Sequence, residues 1–312
     1  MAGDPATSGV TPPGRSLARL SPRWAASDRG REWQGILLVI AGAICFSTAI
    51  LFVRLTEGMN VGSITFYRSL FGFSFLCLFL PRYPAALRVR AYRPAVGRLA
   101  LLGLIVGLTA GLFTYAIQHT TAAIAALLVN SAPVYVAVLA PLLLHEPPAR
   151  YTRVSIPLAA IGMVMLTDPG AITLDWATLD GVVAAALSGI TYGLAMMLGR
   201  RLRHDVNGYT QTLWSLGITT LMMLPFALRT SPGVVADNLP ILIPLGVFSL
   251  GLSYLFYFMG LERVSAQVVS VVSLFEPLSG ILIGLIVFGE TLSLLGAAGG
   301  ALILISIILI SR

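Results

Sequence analysis

Lysine is absent from the 312 residues, all 20 basic residues being arginine, and the acidic residues number only 13. Charged side chains are therefore 11% of the chain, against about 25% in water-facing domains, which excludes an ordinary globule with a solvated surface. Cysteine is scarcer still. Cys45 and Cys77 both lie in apolar stretches, so no disulfide framework and no paired-cysteine redox or metal motif is available. His119, His145 and His204 never share helical spacing with a carboxylate as HExxH would, so neither a metal nor another cofactor is expected. No Walker A loop occurs, which argues against ATP-driven pumping by this chain. The net charge of +7 would suit a nucleic-acid partner, but the positions of the arginines give it another meaning.

What the chain does contain is hydrophobic residues, 57% of the total, together with 31 glycines. That is enough for roughly ten membrane spans of about 20 residues each. Apolar runs fall near 34–53, 61–80, 98–117, 121–144, 152–167, 177–199, 208–228, 240–261, 264–288 and 291–311. Barrel strands would be about ten residues long with alternating polarity, so runs of this length predict helices. The expected fold is an all-α polytopic membrane protein with ten transmembrane helices. Residues 1–33, rich in Pro, Gly, Ser, Ala and Arg, read as a disordered cytoplasmic tail, with no signal-peptide pattern.

The arginines test the span count, because basic residues concentrate in cytoplasmic loops. With the N-terminus inside, 17 of the 20 arginines fall on the inner side, Arg54 and Arg229 fall outside, and Arg68 lies within a span. Both termini are therefore expected in the cytoplasm.

The chain also repeats itself. Pro133 and Pro277 are 144 residues apart, as are Glu146 and Glu290, Gly107 and Gly251, Ala122 and Ala266, and His119 and Arg263. Two five-helix halves are implied, 34–167 and 177–312. Five is odd, so the second half enters the membrane from the opposite side, giving an inverted repeat of the kind secondary transporters use. The ten spans, the helix proline followed thirteen residues later by Glu in each half, and Arg68 in the second span together resemble the EamA-type branch of the drug/metabolite transporter superfamily. In span order and length the chain is similar to the bacterial aromatic amino-acid exporters of that branch. The resemblance implies export or exchange of a small-molecule substrate through a central cavity, in the inner membrane of a bacterium. Thr212 stands where the repeat would place a second Arg68, so that feature is asymmetric.

Arg68 lies seven residues into its span, roughly 10 Å below the boundary, where a charge costs about 2.5–3.5 kcal/mol and must face protein or water. It attracts a substrate carboxylate or gates a vestibule on one reading, and makes a fixed structural pair or helix cap on the other. Glu276 is the one acid at mid-depth, a proton carrier or a structural partner of Arg68 or of backbone freed by the proline. Pro133 and Pro277 each remove a donor, which should loosen both helices by freeing the carbonyls of Val129 and Ser273. Matched interruptions of this kind point to a midplane binding site. Around them, Asn130 and Ser273 are the candidate polar walls, and Tyr115, Tyr192, Trp214, Tyr254 and Tyr257 the candidate aromatic ones. An aromatic pocket with a few hydroxyls suits an amino acid.

Stripes such as Gly103-x-x-x-Gly107 and Gly189-x-x-x-Gly193 predict close helix packing, within one chain or between two copies in a homodimer. A passive channel or an intramembrane enzyme are the rival classes. A channel needs a continuous polar path, and an enzyme needs a nucleophile beside a base. Neither pattern is visible in the sequence.

Overall fold

The computed structural model describes residues 22–148, 151–167, 178–288 and 292–311. Those residues hold thirteen α-helices and no β-strand. The first six are α1 (Pro22–Leu55), α2 (Val61–Cys77), α3 (Val96–His119), α4 (Ala122–Val129), α5 (Ala132–Leu144) and α6 (Thr152–Leu166). The rest are α7 (Leu179–Leu202), α8 (Gly208–Ala227), α9 (Pro232–Gly246), α10 (Ser253–Leu261), α11 (Ala266–Val272), α12 (Phe275–Phe288) and α13 (Leu294–Ile310). Short 3₁₀ turns fill most of 80–95, and a π-helical stretch, Val247–Leu252, joins α9 to α10.

Among the described residues, six helical stretches are long and apolar enough to cross a membrane: Arg29–Leu55, Tyr92–His119, Ala123–Leu144, Leu179–Leu202, Pro232–Leu261 and Ala266–Ile283. Thr152–Leu166 and Leu294–Ile310 are shorter apolar helices. The chain is thus an all-helical, multi-pass membrane protein. The two other expected spans fall on α2 and α8, which bury Arg68, Ser63, Thr65 and Ser69 on one and Thr210, Gln211, Thr212, Ser215 and Thr219 on the other. These two helices pack against each other, so their polar residues face protein.

At the N-terminus the expectation needs correction, because α1 begins at Pro22 and residues 22–33 are helical. Extending a helix costs far less than nucleating one, and Ala25, Ala26, Arg29, Arg31 and Glu32 are good helix formers. Residues 1–21 lie outside the described residues, as does Glu290.

The proline-bearing spans are broken helices. Asn130 caps α4 and Pro133 sits in the first turn of α5, where its missing N–H leaves no bond unmade. In the second case the chain turns at Ser273 and Leu274, and α12 starts with Glu276 in its first turn. The Ser273 carbonyl, expected to lack a partner, accepts the Glu276 N–H at 2.9 Å.

Helix pairing is reciprocal between the first and second segments. α1 packs on α10 and α12, while α7 packs on α3, α4 and α5. Similarly α3 meets α8 as α2 meets α9, and α6 lies along α13. Glycine permits the closest of these approaches: a Cβ on Gly162 would meet the Gly299 carbonyl at 2.7 Å, and one on Gly299 the Gly162 carbonyl at 2.5 Å. Gly189 is tighter still, a Cβ there lying 2.3 Å from the Leu128 carbonyl. Much of the glycine pattern is therefore used within one chain. Gly189→Val should lower stability by about 1–3 kcal/mol through overpacking, seen as a lower Tm of the purified protein. Gly97→Ala, with nothing within 4 Å, should leave stability nearly unchanged.

Candidate functional site

Arg68 is 1% exposed, and its position follows from backbone packing. α2 presses against the π-helical stretch at Gly72, whose added Cβ would lie 2.8 Å from the Gly246 carbonyl and 3.2 Å from the Gly251 N. Within that stretch the Ser249 side chain accepts a hydrogen bond from Arg68 Nε at 3.0 Å, and the Ser249 carbonyl accepts one from Nη2 at 3.3 Å. Arg68 Nη1 is buried with no partner. Neutral groups therefore hold two of the three guanidinium nitrogens and leave the third open.

Arg68 is also one of the residues that line a small cavity, together with Phe46, Thr109, Ala110, Phe113, Val129, Tyr192, Leu250, Tyr254 and Glu276. Glu276 and Arg68 both line it. They do not form an ion pair, the pairs among the described residues being Arg98–Asp205, Arg200–Glu146, Arg203–Glu146 and Arg263–Glu262. The first turn of α12 favours the Glu276 carboxylate through the helix dipole.

Aromatic edges and faces build the rest of the wall. Phe46 stands edge-on to Tyr254 at 5.0 Å and to Tyr192 at 6.0 Å, while Tyr257 stacks behind Tyr192 at 5.6 Å. The Tyr257 hydroxyl is directed toward Ser273 and Tyr192. Neither tyrosine hydroxyl completes a hydrogen bond of normal geometry.

A model of the EamA-like transporter family matches this chain twice, over residues 33–168 and 179–312. The chain belongs to the EamA-like transporter family. An uncharacterized transporter of Archaeoglobus fulgidus is 33% identical over 283 residues, covering 89% of this chain and 96% of that one. One of Helicobacter pylori is 27% identical over 89% of this chain and 94% of its own. The pseudopaline exporter CntI of Pseudomonas aeruginosa is 26% identical over 89% and 96% respectively. A solved crystal structure with a TM-score of 0.69 and 17% identity, covering 88% of this chain and 97% of that one, shares the fold.

Within this EamA-family chain the cavity gathers Arg68, Tyr192, Tyr254 and Glu276 from the expected site residues. Tyr257 lies one layer behind. Asn130 and Ser273 mark the two helix breaks with their polar groups bonded to their own helices, Asn130 Nδ2 donating to the Ala126 carbonyl at 2.9 Å and Ser273 Oγ to the Val269 carbonyl at 2.7 Å. Two expected residues are placed elsewhere. Tyr115 donates to Asp180 at 2.6 Å and stacks on His119 near the end of α3, and Trp214 Nε1 donates to the Tyr92 hydroxyl at 3.1 Å. Pro133 and Pro277 are buried just past the breaks.

Sequence reading missed Phe46, Thr109, Val129, Leu250 and the Ser249 support. Thr109 and Phe113 stand four apart on α3, a shared-face signal that was available. The π-helical stretch carried only its flanking Gly246 and Gly251 as a clue.

One end of the bundle is fastened by charge. Arg200, near the end of α7, places Nε 2.6 Å from Glu146 Oε1 beyond α5, and its Nη1 donates to the Leu261 carbonyl at the end of α10 at 2.6 Å. The 144-residue offset puts Thr56 opposite Arg200, and Thr56 bonds only its own helix at Val53. This latch therefore has no charged counterpart at that position. Glu146→Ala leaves Arg200 buried without a counter-charge, which should cost on the order of 3 kcal/mol. A lower Tm together with faster hydrogen exchange at the ends of α7 and α10 would show it.

Proposed function

We propose that this chain is a secondary transporter that exports or exchanges small organic metabolites, amino acids with aromatic or neutral side chains foremost. On this reading ten spans form two inverted five-helix repeats, 34–167 and 177–312, with both termini on the cytoplasmic side of a bacterial inner membrane. Transport proceeds by alternating access, one repeat rocking against the other around a fixed midplane cavity.

The single observation that carries the reading is the origin of the cavity walls. Phe46, Arg68, Thr109, Ala110, Phe113 and Val129 come from the first segment, and Tyr192, Leu250, Tyr254 and Glu276 from the second. A site shared in this way changes shape whenever the two segments move relative to each other. The twofold family match, the 144-residue offset and the reciprocal helix pairing support the repeat. The Glu146–Arg200 latch joins α5 to α7, one from each segment, and fits a gate at the arginine-rich end.

Purified protein in proteoliposomes should take up labelled phenylalanine or threonine saturably, with inhibition by unlabelled competitors, and a pH gradient would report coupling. Arg68→Gln should reduce this uptake at least tenfold, about 1.4 kcal/mol. Uptake no greater than in empty liposomes, for these and for other metabolites under any gradient, would remove the transporter reading. Linear, non-saturating flux would favour a channel.

A further inference from the structure

The cavity brings together one basic and one acidic side chain, Arg68 and Glu276, that form no ion pair with each other. Arg68 is 1% exposed and Glu276 7% exposed. Arg68 spends its Nε and Nη2 on neutral Ser249 oxygens and keeps Nη1 unpartnered. No hydrogen bond or ion pair reaches the Glu276 carboxylate from the described side chains. Burying ionisable groups without a counter-charge is costly, and a ligand that brings each its opposite charge recovers that cost on binding.

Which ligand can do so follows from the signs. A simple anion would satisfy Arg68 and bring a like charge toward Glu276, while a simple cation would do the reverse. Only a solute carrying both charges meets both demands. The surrounding wall of Phe46, Phe113, Tyr192 and Tyr254 is apolar and aromatic, suits an apolar substituent and has little capacity for further charge. We infer that the cavity is a zwitterion reader, in which Arg68 Nη1 takes the carboxylate of the solute and Glu276 takes its ammonium. This inference deepens the proposed transport function and rests on the same cavity. It gives Glu276 the role of a specificity residue and disfavours phosphorylated or singly charged substrates.

The test uses the full chain and three probes, L-phenylalanine, N-acetyl-L-phenylalanine and L-phenylalaninamide, with the same series built on threonine. Ligand-induced rise in Tm of the purified protein measures binding without requiring transport, and competition in proteoliposomes measures transport. For at least one series the zwitterion should raise Tm, and each blocked form should need at least tenfold more to do the same. In Glu276→Gln the acetylated form should come within about threefold of the parent, because its missing ammonium no longer matters. In Arg68→Gln the amide should do likewise. Should either variant fold poorly, Glu276→Asp, which retains the charge, should retain the preference for the zwitterion.

Blocked forms acting within threefold of the parent on the unaltered protein would overturn the inference. So would the absence of a Tm rise with every zwitterion, or transport confined to singly charged metabolites, which would leave the transporter reading standing. A zwitterion-specific rise in Tm with no transport of any solute would instead uphold the inference and count against the transporter reading.

Discussion

A lipid core supplies no water, so each polar group placed there has to find its partner within the chain, and this constraint organises the structure. Most buried hydroxyls meet it locally by turning back on their own helix: Ser69 to Phe66, Thr114 to Ala110, Ser188 to Ala185, Ser270 to Gln267 and Ser306 to Ile303. Helices α2 and α8 place their polar faces against each other and away from lipid, although Gln211 Oε1 and Ser215 Oγ of α8 make no hydrogen bond there. Among the other buried polar atoms left without a partner are Arg68 Nη1 and the hydroxyls of Tyr192 and Tyr257. These residues line, or lie directly behind, a cavity that both segments build, where a ligand can supply what the protein does not.

The same constraint explains where the helices break. A free carbonyl or N–H at mid-depth is expensive unless protein covers it, and both breaks sit against other helices. Leu128 at the first break lies under Gly189 of α7, and the second break closes its own turn from Glu276 N–H to Ser273. Breaking the helices in this way brings a helix start, and with it Glu276, to the middle of the molecule.

Long apolar runs made the helices legible, and the matched prolines located both breaks before any coordinates. Arg68 and Glu276 were legible as well, since a charge inside an apolar run is visible in one dimension. Tyr115 and Trp214 were misplaced because their partners are remote in sequence. Asp180 is 65 residues from Tyr115 and Tyr92 is 122 residues from Trp214, and hydropathy encodes neither contact. The π-helical stretch was illegible for a related reason, since it depends on α2 approaching at Gly72. The early start of α1 was hidden by composition, as Pro, Gly and Ser in the tail outweighed the helix formers between them.

Rocking of two segments about a shared cavity requires the two ends of the bundle to move in opposite senses. Pulsed electron spin resonance on the full chain, with Cys45 and Cys77 replaced by serine, measures this directly from two label pairs at exposed positions. One pair replaces Pro148 and Arg201 beside the Glu146 latch, and the other replaces Glu57 and Leu179 at the opposite end. Addition of a solute that raises Tm should narrow one distance distribution and widen the other, and Glu146→Ala should widen the first pair without any solute. Two distances that stay fixed, or that widen together, would contradict alternating access around the Arg68–Glu276 cavity.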